Sequence, residues 1–580
     1  SDGDLSSTRR DFLKYFGFSI SAVALAACNT TPVKNAIPYI VKPENITPGI
    51  PNWYATSCGA CASGCSILVK TREGRPVKIE GSDNPNAFNK GGVCATGHAS
   101  LLGLYDNERL RAPKSGNADV TWDAVDKDIK GALSSAKNIR LITSTLNSPT
   151  TKKAIAEFTA KYPSTKTIAY EAVSYNGLIE ANKQAFGKAV VPSYKFDKAK
   201  VIVSFGADFL GTWISPVEFT KQWVANRKAE NKTMSRHIQF ESNLSLTGSN
   251  ADMRFPIRPS AEGVVLISLY NKIAALAGAP TLATAGNIEL ALNAIELTAK
   301  ELYSAKGNSI VVSGSNNIDN QLLVAAINSL LGNIGSTIDI DNPSNQAGGD
   351  DAAFEAFVNE MNSGSVDAVI FYNTNPAYSY YNAEKFKTGL KKVALSISTN
   401  ASTDETGELC KYQTPDNHYL ESWGDAEPKS GYFALTQPTI SNVFTTRQAQ
   451  TSLLTWAGNT TDYYTYLKQN WVGSVVASES DFNQALHDGF VRKASAEAKS
   501  YSNAAALAGV VNPAYTSYNN AKGKTELKLY QKVAIGDGTH ANNPWLQEMP
   551  DPISKVCWDN YLAIGKVTAD KYKLKDGDVA

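Results

Sequence analysis

Four of the chain's seven cysteines are grouped in a pattern that could hold iron. Cys58, Cys61 and Cys65 form C-x2-C-x3-C, and Cys94 follows after 28 intervening residues. Three close thiolates on a tight loop with a distant fourth can enclose a [4Fe–4S] cluster. The surrounding glycines permit left-handed backbone and a close approach of N–H groups to sulfur; they are Gly59, Gly64, Gly91, Gly92 and Gly97.

Two other chemistries are compatible with the same spacing. Zinc sites usually pair C-x2-C with a second C-x2-C, which this sequence lacks, but a zinc ion remains an alternative. An oxidising compartment would also permit disulfides, or the thiols could stay free. The sequence alone leaves the cluster, the disulfides or free thiols, and zinc open.

The remaining candidate residues are interpreted as structural. His418 in D-N-H-Y-L-E and His540 in G-T-H-A-N-N are predicted to bond to backbone in loops rather than to act as general bases. Glu421 is expected to be a solvated or capping carboxylate. Cys410 and Cys557 stand alone in the sequence and are predicted to be buried small hydrophobes.

The elements that position these residues follow an α/β pattern. Short apolar runs bounded by Gly, Ser and Asn alternate with amphipathic stretches, which indicates buried parallel strands joined by crossover helices in more than one sheet. The predicted strands are Ile139 to Thr143, Val201 to Phe205, Ile310 to Ser313, Ala368 to Tyr372 and Val393 to Ile397. The predicted helices include Asp123 to Ser135, Ser215 to Arg227, Gly263 to Ala277 and Asp319 to Leu331.

The domain organisation follows from composition shifts along the chain. We predict a signal and anchor at 1–28, a proline-containing linker at 29–51, a small β domain with the cysteines at 52–113, interleaved α/β domains at 114–525, and a β-like segment at 526–580. The last segment is expected to begin a C-terminal β-barrel that the sequence truncates.

Composition narrows the function classes. The 580 residues are 43 % hydrophobic and 19 % charged, which excludes global disorder. A net charge of only +1 argues against a nucleic-acid-binding surface spread over the whole chain. No nucleic-acid partner is therefore predicted. Five histidines and seven cysteines are too few for a multi-site zinc protein or a disulfide-dense scaffold.

The N-terminus has the pattern of an export signal. The twin arginine Arg9–Arg10 precedes an apolar stretch of 12 residues, Phe16 to Ala27, which is shorter than the ~20 residues that span a bilayer. The stretch ends L-A-A-C at Cys28, which is typical of a lipoprotein processing site. The pattern predicts a periplasmic protein tethered to the inner membrane through a lipid on Cys28.

The segment from Tyr54 to Arg111 resembles the N-terminal domain of the molybdopterin (bis-MGD) oxidoreductases. The pieces that match are C-G-A-C-A-S-G-C, G-R-P-V-K-I-E-G and N-K-G-G-V-C, followed by Tyr105, Arg109 and Pro113. Farther along, Ser204 to Phe209 and Phe371 to Ala377 are similar to the strand-end turns that face the pterin nucleotides in that family. The resemblance therefore implies that family's fold and a [4Fe–4S] cluster on Cys58, Cys61, Cys65 and Cys94.

Within that family, Gly536 to Pro552 and Ser204 to Trp213 are similar to the molybdoenzyme-like member of the alternative complex III family. In those bacterial quinol-oxidising complexes this member is a fusion, in which a molybdoenzyme-like half without molybdenum cofactor precedes a ferredoxin-like half with several Fe–S clusters. The resemblance implies that more Fe–S clusters follow residue 580. It also implies multihaem cytochrome c and quinol-binding integral membrane subunits as partners.

Three departures from the catalytic pattern of the family bear on its metal centre. Thr96, in C-A-T-G, replaces the lysine that usually lies between cluster and pterin. Near the expected metal-ligand position only Ser174 or Glu171 could serve, and Ser174 is interpreted as a helix N-cap or turn residue. The run R-P-S-A-E-G, Arg258 to Gly263, stands where R-P-G-T-D is common, which alters a phosphate- and guanine-binding turn. We therefore predict no molybdenum cofactor and no catalytic residue.

The sequence thus supports two hypotheses. In the first, the chain is a membrane-associated subunit of a quinol-oxidising respiratory electron-transfer complex and acts as a non-catalytic scaffold; its four cysteines hold a cluster or serve only to hold the fold together. In the second, it is an active molybdenum bis-MGD oxidoreductase, such as a polysulfide or thiosulfate reductase. Molybdenum and iron content distinguish the two.

Overall fold

The computed structural model describes residues 46–232, 234–284 and 292–579. The predicted signal and anchor, with Arg9, Arg10 and Cys28, lies outside the described residues, as does most of the predicted linker. These two predictions therefore stay predictions.

A three-stranded antiparallel sheet forms the cysteine-bearing domain. Its strands are β1 (Asn52–Ser57), β2 (Ser66–Arg72) and β3 (Arg75–Gly81). Period-2 alternation turns Ile67, Val69 and Ile79 inward, at 0 %, 0 % and 1 % exposure. The strand pair β1–β2 brackets the first three cysteines, so their loop has fixed ends.

Two sheets form the larger part of the fold, one entirely parallel and one parallel except for β4 and β5, as the alternation of apolar runs and helices predicts. A seven-stranded sheet has the order β5-β4-β16-β15-β14-β6-β7, and a four-stranded sheet has the order β11-β10-β9-β12. The strands of the first are β4 (Lys114–Ser115), β5 (Ala118–Asp119), β6 (Ile139–Thr143), β7 (Thr165–Ala169), β14 (Ala368–Tyr372), β15 (Leu395–Ser398) and β16 (Tyr412–Gln413). Those of the second are β9 (Val201–Phe205), β10 (Arg236–Glu241), β11 (Met253–Pro256) and β12 (Ser309–Ser313). The predicted strands are confirmed, with β15 beginning two residues later than expected.

An antiparallel five-stranded sheet joins the two halves and was not predicted. Its order is β19-β18-β17-β13-β8, and its strands are β8 (Val191–Tyr194), β13 (Ile338–Ser344), β17 (Gly424–Lys429), β18 (Tyr432–Thr436) and β19 (Phe490–Arg492). The sequence of β17, G-D-A-E-P-K, has neither β-branched residues nor an apolar alternation. Only its long-range partners make it a strand.

Helices cover the faces of the parallel sheets. The α-helices of the described residues are α1 (Ala95–Ala99), α2 (Leu101–Leu104), α3 (Trp122–Ser135), α4 (Pro149–Lys161), α5 (Asn176–Phe186), α6 (Pro216–Ala225), α7 (Leu246–Ser249), α8 (Glu262–Ala277), α9 (Leu292–Ser304), α10 (Ile318–Leu330), α11 (Asp351–Asn362), α12 (Pro376–Ser379), α13 (Ala383–Leu390), α14 (Ala449–Ala457), α15 (Tyr463–Trp471), α16 (Glu479–Asp488), α17 (Ala508–Ala521), α18 (Pro544–Glu548) and α19 (Lys566–Tyr572). The predicted helices correspond to α3, α6, α8 and α10 and are confirmed.

One helical stretch, Pro259–Ala277, is long and apolar enough to cross a membrane by length and composition, with a mean hydropathy of 1.2. More than half of it, 56 %, is buried inside the fold. Its residues Val264, Leu266 and Ile273 are fully buried in the largest hydrophobic cluster. This packing identifies it as the core helix of the four-stranded sheet.

The described part of the C-terminal segment, 526–579, forms no strand, and the prediction that this segment begins a β-barrel stays a prediction. That segment contains α18, α19 and turns, without a strand. Leu527 and Leu529 are 71 % and 81 % exposed. A strand needs a neighbour to satisfy its backbone hydrogen bonds, and in the described residues no strand lies beside this segment.

Candidate four-cysteine site

The first three cysteines lie on the loop that joins β1 to β2. Cys58 follows β1 directly, Cys65 precedes β2, and the Cys58 N–H donates to the Cys65 carbonyl at 2.8 Å. Gly64 in this loop has a φ of +57°, a left-handed conformation that favours glycine. The antiparallel strand pair therefore fixes the two ends of the loop and turns it tightly between them.

The fourth cysteine begins the helix α1 and faces the same loop. Cys94 is the N-cap of α1, and its Sγ accepts from the Gly97 N–H at 3.3 Å. A Cβ on Gly97 would lie 3.7 Å from Cys58 Sγ and 3.8 Å from Cys94 Sγ, and only 2.7 Å from Val93. Gly97 thus lies between two of the sulfurs in a space too small for a side chain.

The protonation of the thiols reflects how they are grouped. Burial, and then the neighbouring Cys61 and Cys94, raise the pKa of Cys58 well above its usual range. Burial and the other three thiols do the same for the pKa of Cys65. Without a compensating cation these buried sulfurs stay protonated, whereas iron or zinc binds thiolates.

Side chains from three distant segments hold the carbonyls of the cysteine loop. His540 Nε2 lies 2.8 Å from the Ala60 carbonyl. Asn147 Nδ2 donates to the Ala62 carbonyl at 2.6 Å, and Gln346 Nε2 donates to the Ser63 carbonyl at 3.1 Å. The loop conformation therefore depends on both parallel-sheet halves and on the C-terminal segment.

The turn 418–421 forms another wall of the site. The Tyr419 hydroxyl lies 2.8 Å from Ser100 Oγ. A Cβ on Gly59 would lie 2.6 Å from Tyr419, so only glycine fits there. His418 contacts the Ser100 carbonyl at 3.2 Å and caps the turn. His418 and His540 are thus backbone-bonded loop histidines, as predicted.

A buried ion pair attaches this turn to the cysteine domain. Arg109 donates to both Glu421 oxygens, at 3.2 Å and 2.6 Å, and to the Leu104 carbonyl at 2.9 Å. The two side chains are 2 % and 0 % exposed. Glu421 also accepts from the His418 N–H at 3.0 Å. The prediction of a capping carboxylate is confirmed for Glu421, but solvation is excluded.

The four cysteines of the site are the residues that a metal group would bind. They are free thiols, two of them buried, one half-buried and Cys61 exposed. Within the described ranges, no three His, Cys, Asp or Glu side chains converge as one metal ion requires. A cluster places one sulfur on each of four irons and so needs the sulfurs grouped but separate. Cys58, Cys61, Cys65 and Cys94 are therefore the residues that would hold it.

The position of Thr96 is compatible with the predicted loss of a cation between cluster and pterin. Thr96 lies half-buried in the first turn of α1. Glu218, whose charge acts on Cys65, forms an ion pair with Lys429. The two charges of this pair cancel, so the pair does not supply the net positive charge that a free lysine would.

The two strand-end turns that resemble nucleotide-facing turns lie where an α/β fold binds ligands. Strand order reverses between β9 and β12 and between β6 and β14, and ligands bind at such switch points. Here the two loops at each point touch. A Cβ on Gly314 would lie 2.5 Å from the Gly206 carbonyl oxygen. Asn373 bonds to Ser144 at 3.1 Å.

The altered turn Arg258 to Gly263 already holds an anion, supplied by the chain itself. Glu526 accepts from the Ser260 N–H at 2.8 Å and from Ser260 Oγ at 3.0 Å, and it pairs with Arg258 at 2.7 Å. The turn leads into α8, whose N-terminus favours negative charge. Glu526 was not identified from the sequence, because nothing near it indicates a partner 266 residues away.

The two candidate metal ligands are engaged in local contacts. Glu171 accepts from the Thr145 N–H at 2.6 Å and from its hydroxyl at 2.5 Å. Burial raises the pKa of Glu171. Ser174 Oγ accepts from the Asn176 N–H at 3.1 Å, as a turn residue does. A Cβ on Gly349 would lie 2.5 Å from Ser174 Oγ, so the opposite loop contacts it directly.

Sequence comparison places the cysteine domain in a known family. Residues 51–106 match the molybdopterin oxidoreductase Fe4S4 domain. Over 461 residues, or 72 % of the chain, the sequence is 21 % identical to a menaquinone reductase, molybdopterin-binding-like subunit, from Nitratidesulfovibrio vulgaris (strain Hildenborough). Shorter matches are the periplasmic nitrate reductase of Desulfovibrio desulfuricans (32 % identity, 20 % of the chain) and the molybdopterin-containing subunit of the arsenate respiratory reductase of Shewanella sp. ANA-3 (24 %, 38 %).

The matches span 66 %, 15 % and 27 % of these three relatives, less than two thirds of each. Among solved structures, acetylene hydratase from Pelobacter acetylenicus superposes with a TM-score of 0.60 over 76 % of this chain and 74 % of that one, at 11 % identity. This likeness shows the fold. Residues 51–106 match the molybdopterin oxidoreductase Fe4S4 domain, and the superposed 76 % of the chain has the molybdopterin oxidoreductase fold.

Proposed function

We propose that the chain is a periplasmic, membrane-associated subunit of a quinol-oxidising respiratory electron-transfer complex, similar to alternative complex III. In this proposal the molybdoenzyme-like fold is a non-catalytic scaffold. It holds the four-cysteine site, which with a bound [4Fe–4S] cluster supplies one-electron transfer. Partner subunits that bind quinol and haem would supply the rest of the electron path.

The comparisons support a respiratory redox role. The relative that matches most of the chain is described as a menaquinone reductase subunit that is molybdopterin-binding-like. The other two relatives are respiratory or periplasmic reductases by name. A subunit of a quinone-linked complex is the role that agrees with the first of these names.

The observation that carries the scaffold role is Glu526 on the Ser260 turn. The resemblance places a phosphate- and guanine-binding turn there, and this chain fills it with its own carboxylate. A nucleotide phosphate would have to displace Glu526 from Arg258 and from the Ser260 N–H. The internal contacts of Glu171 and Ser174 agree with this interpretation, because each side chain accepts a hydrogen bond from a nearby backbone N–H.

Elemental analysis of the full chain, purified anaerobically with its partners, tests the proposal. We expect iron bound at Cys58, Cys61, Cys65 and Cys94 and neither molybdenum nor tungsten. The variant Cys94→Ser should lose that iron, while Cys410→Ser, which removes a buried thiol in another core, should retain it. About one molybdenum or tungsten per chain would refute the scaffold role and support an active bis-MGD oxidoreductase.

The location is a separate part of the proposal and has its own test. It is supported by the twin arginine Arg9–Arg10 and by the L-A-A-C site at Cys28. We expect the wild-type chain in the membrane fraction and Cys28→Ser in the soluble periplasmic fraction, with Cys557→Ser as the control. Equal membrane retention of the Cys28→Ser variant would argue against a lipid anchor.

A further inference from the structure

The outer face of the three-stranded sheet carries four cations near the turn between β2 and β3. Positions 67, 69 and 71 of β2 are buried, so Lys70 and Arg72 lie on the opposite face. Lys78 of β3 lies directly opposite Lys70, and Arg75 lies opposite Arg72. Like charges at opposite positions of an antiparallel pair repel each other, so this arrangement costs stability. The outer face is formed by Trp53, Lys70, Arg72, Arg75, Val77 and Lys78.

Only part of this positive charge is neutralised within the fold. Lys78 pairs with Glu80, whereas Arg72 and Arg75 form no ion pair with any described residue. The turn between the two arginines adds one carboxylate, Glu73. Residues 52–81 thus contain four positive and two negative side chains, a net charge of +2, whereas the whole chain carries only +1. The outer face is therefore a local concentration of positive charge, suited to an anionic surface.

Large apolar side chains are exposed among these cations. Trp53 is 43 % exposed, and the Lys70 ammonium lies 5.5 Å from the centre of its ring. Val77 is 45 % exposed, because it is the extra residue of a bulge in β3. A tryptophan ring beside Lys and Arg side chains is typical of protein surfaces that lie in the headgroup region of a bilayer.

The predicted lipid anchor at Cys28 favours the bilayer over other anionic surfaces. The linker 29–51 joins Cys28 directly to β1. A tether of this length would keep the sheet near the membrane, at a high effective concentration for a second and weaker contact. An acidic protein surface would also attract the cations, but the tether brings only the bilayer close, and the bilayer also accepts the exposed Trp53 and Val77.

We propose that the outer face docks on a bilayer that contains anionic phospholipids. This inference rests on the proposed membrane association of the chain. Arg72, Arg75 and Lys70 would contact headgroup phosphates, while Trp53 and Val77 enter the interfacial layer. Because surface charges are screened by salt, the binding should weaken as the salt concentration rises.

Co-sedimentation with lipid vesicles tests the inference. The chain from residue 29 onward is used, so that neither the apolar stretch 16–27 nor an acyl chain contributes; Pro51–Ala580 is a compact unit without residues 1–28. We expect binding to vesicles of equal parts phosphatidylglycerol and phosphatidylcholine, but not to phosphatidylcholine alone. The double variant Arg72→Gln/Arg75→Gln should bind roughly 10- to 30-fold more weakly, since each cation near an anionic surface contributes about fivefold. Trp53→Ala should also weaken binding without changing its salt dependence.

The matched control is Lys127→Gln/Lys152→Gln. It removes the same charge from exposed positions of α3 and α4 and should bind like the wild type. Because all these positions are at the surface, every variant should keep the urea midpoint of the wild type.

A wild-type chain that does not bind anionic vesicles, or equal binding by the two double variants, would overturn the inference. Neither result affects the fractionation test of Cys28→Ser, so the lipid anchor is judged separately. Unchanged vesicle binding by Arg72→Gln/Arg75→Gln, together with loss of co-purified partner subunits, would also overturn it and would identify the outer face as a protein contact.

Discussion

At the scale of single residues, the Arg109–Glu421 pair connects the cysteine domain to the turn that carries Tyr419. Both side chains are almost completely buried, and Arg109 also lies 5.2 Å from the Phe444 ring. Burying two charges costs desolvation energy, which bidentate geometry offsets only while both partners are present. The pair therefore fixes a position more than it adds stability.

We expect Arg109→Met to lower the free energy of unfolding by about 3–5 kcal/mol, because it leaves Glu421 buried and unpaired. The double variant with Glu421→Gln should recover part of this loss. Chemical denaturation measures the free energy of unfolding of each variant. The control is Glu384→Gln, which removes one partner of the exposed Glu384–Lys387 pair. It should leave the denaturation midpoint unchanged. An Arg109→Met chain as stable as wild type would show that the backbone N–H groups of His418 and Val443, which also donate to Glu421, are enough to stabilise its buried charge.

A second residue-scale prediction concerns acid stability. Burial lowers the pKa of His237 to about 4, below its usual 6.5. As pH falls from 6.5 towards 4, the unfolded chain takes up a proton that the folded chain does not, so stability is lost in this window. Relative to His237→Gln, the wild type should lose up to about 3 kcal/mol between pH 7.5 and 4.

The matched control is His487→Gln, because the His487 side chain is 82 % exposed. Its denaturation midpoint at pH 7.5 should match that of the wild type. If the His237→Gln and wild-type midpoints fall in parallel on acidification, His237 does not contribute to the acid lability.

At the scale of elements, the segment that follows α17 runs across the fold and is called the strap here. Glu526 attaches it to the turn before α8, and His540 and Asn543 attach it to the Ala60 and Ala99 carbonyls. The strap therefore contacts both the altered nucleotide turn and the cysteine domain. Its apolar residues do not form strands, which makes these polar contacts its main attachment.

We expect Glu526→Ala to release the strap near its start. Trypsin should then cleave at the exposed Lys522, Lys524 and Lys528 roughly tenfold faster, since a hydrogen-bonded charge contributes about 1.5 kcal/mol or more. Glu548→Ala removes an exposed carboxylate from the same segment and should not change the rate. Equal cleavage of both variants would mean that Glu526 does not hold the segment.

At the scale of the whole molecule, the four-stranded sheet is an insertion into the seven-stranded one. The chain leaves the larger sheet after β7 and returns before β14. The points of exit and return are adjacent, because the Tyr175 N–H donates to the Gly348 carbonyl at 3.0 Å. Adjacent ends are what allows one domain to be inserted into another.

The fragment 175–348 should therefore fold by itself. It contains all four strands of its sheet and most of the helices that cover them. We expect the fragment to give the circular dichroism spectrum of a mixed α/β protein and a cooperative unfolding transition in urea. The fragment 349–436 is the counterpart, since it carries three strands of a sheet that also needs β4 to β7, and it should remain unfolded. A non-cooperative transition in 175–348 would show that α17, packed on α8, is required.

Much of the fold could be predicted because local patterns of apolar and polar residues indicate the strands and helices of the parallel sheets. The runs at β6, β9 and β14 are fully or almost fully buried, so their apolar character is continuous. The antiparallel sheet was missed for the opposite reason. In β17 the sequence is polar, and only partners distant in the chain make it a strand.

The sequence by itself determined the four cysteines, their spacing and the alternation of strands and helices, because these depend on residues close together in the chain. Only the tertiary structure decided that Tyr419 lies against Gly59 and that Glu526 fills the Ser260 turn. These contacts join residues hundreds of positions apart, and neither partner carries a local signal of the other. Loop closure over such distances is favoured by the packing of the intervening sheets, and no local sequence pattern encodes it.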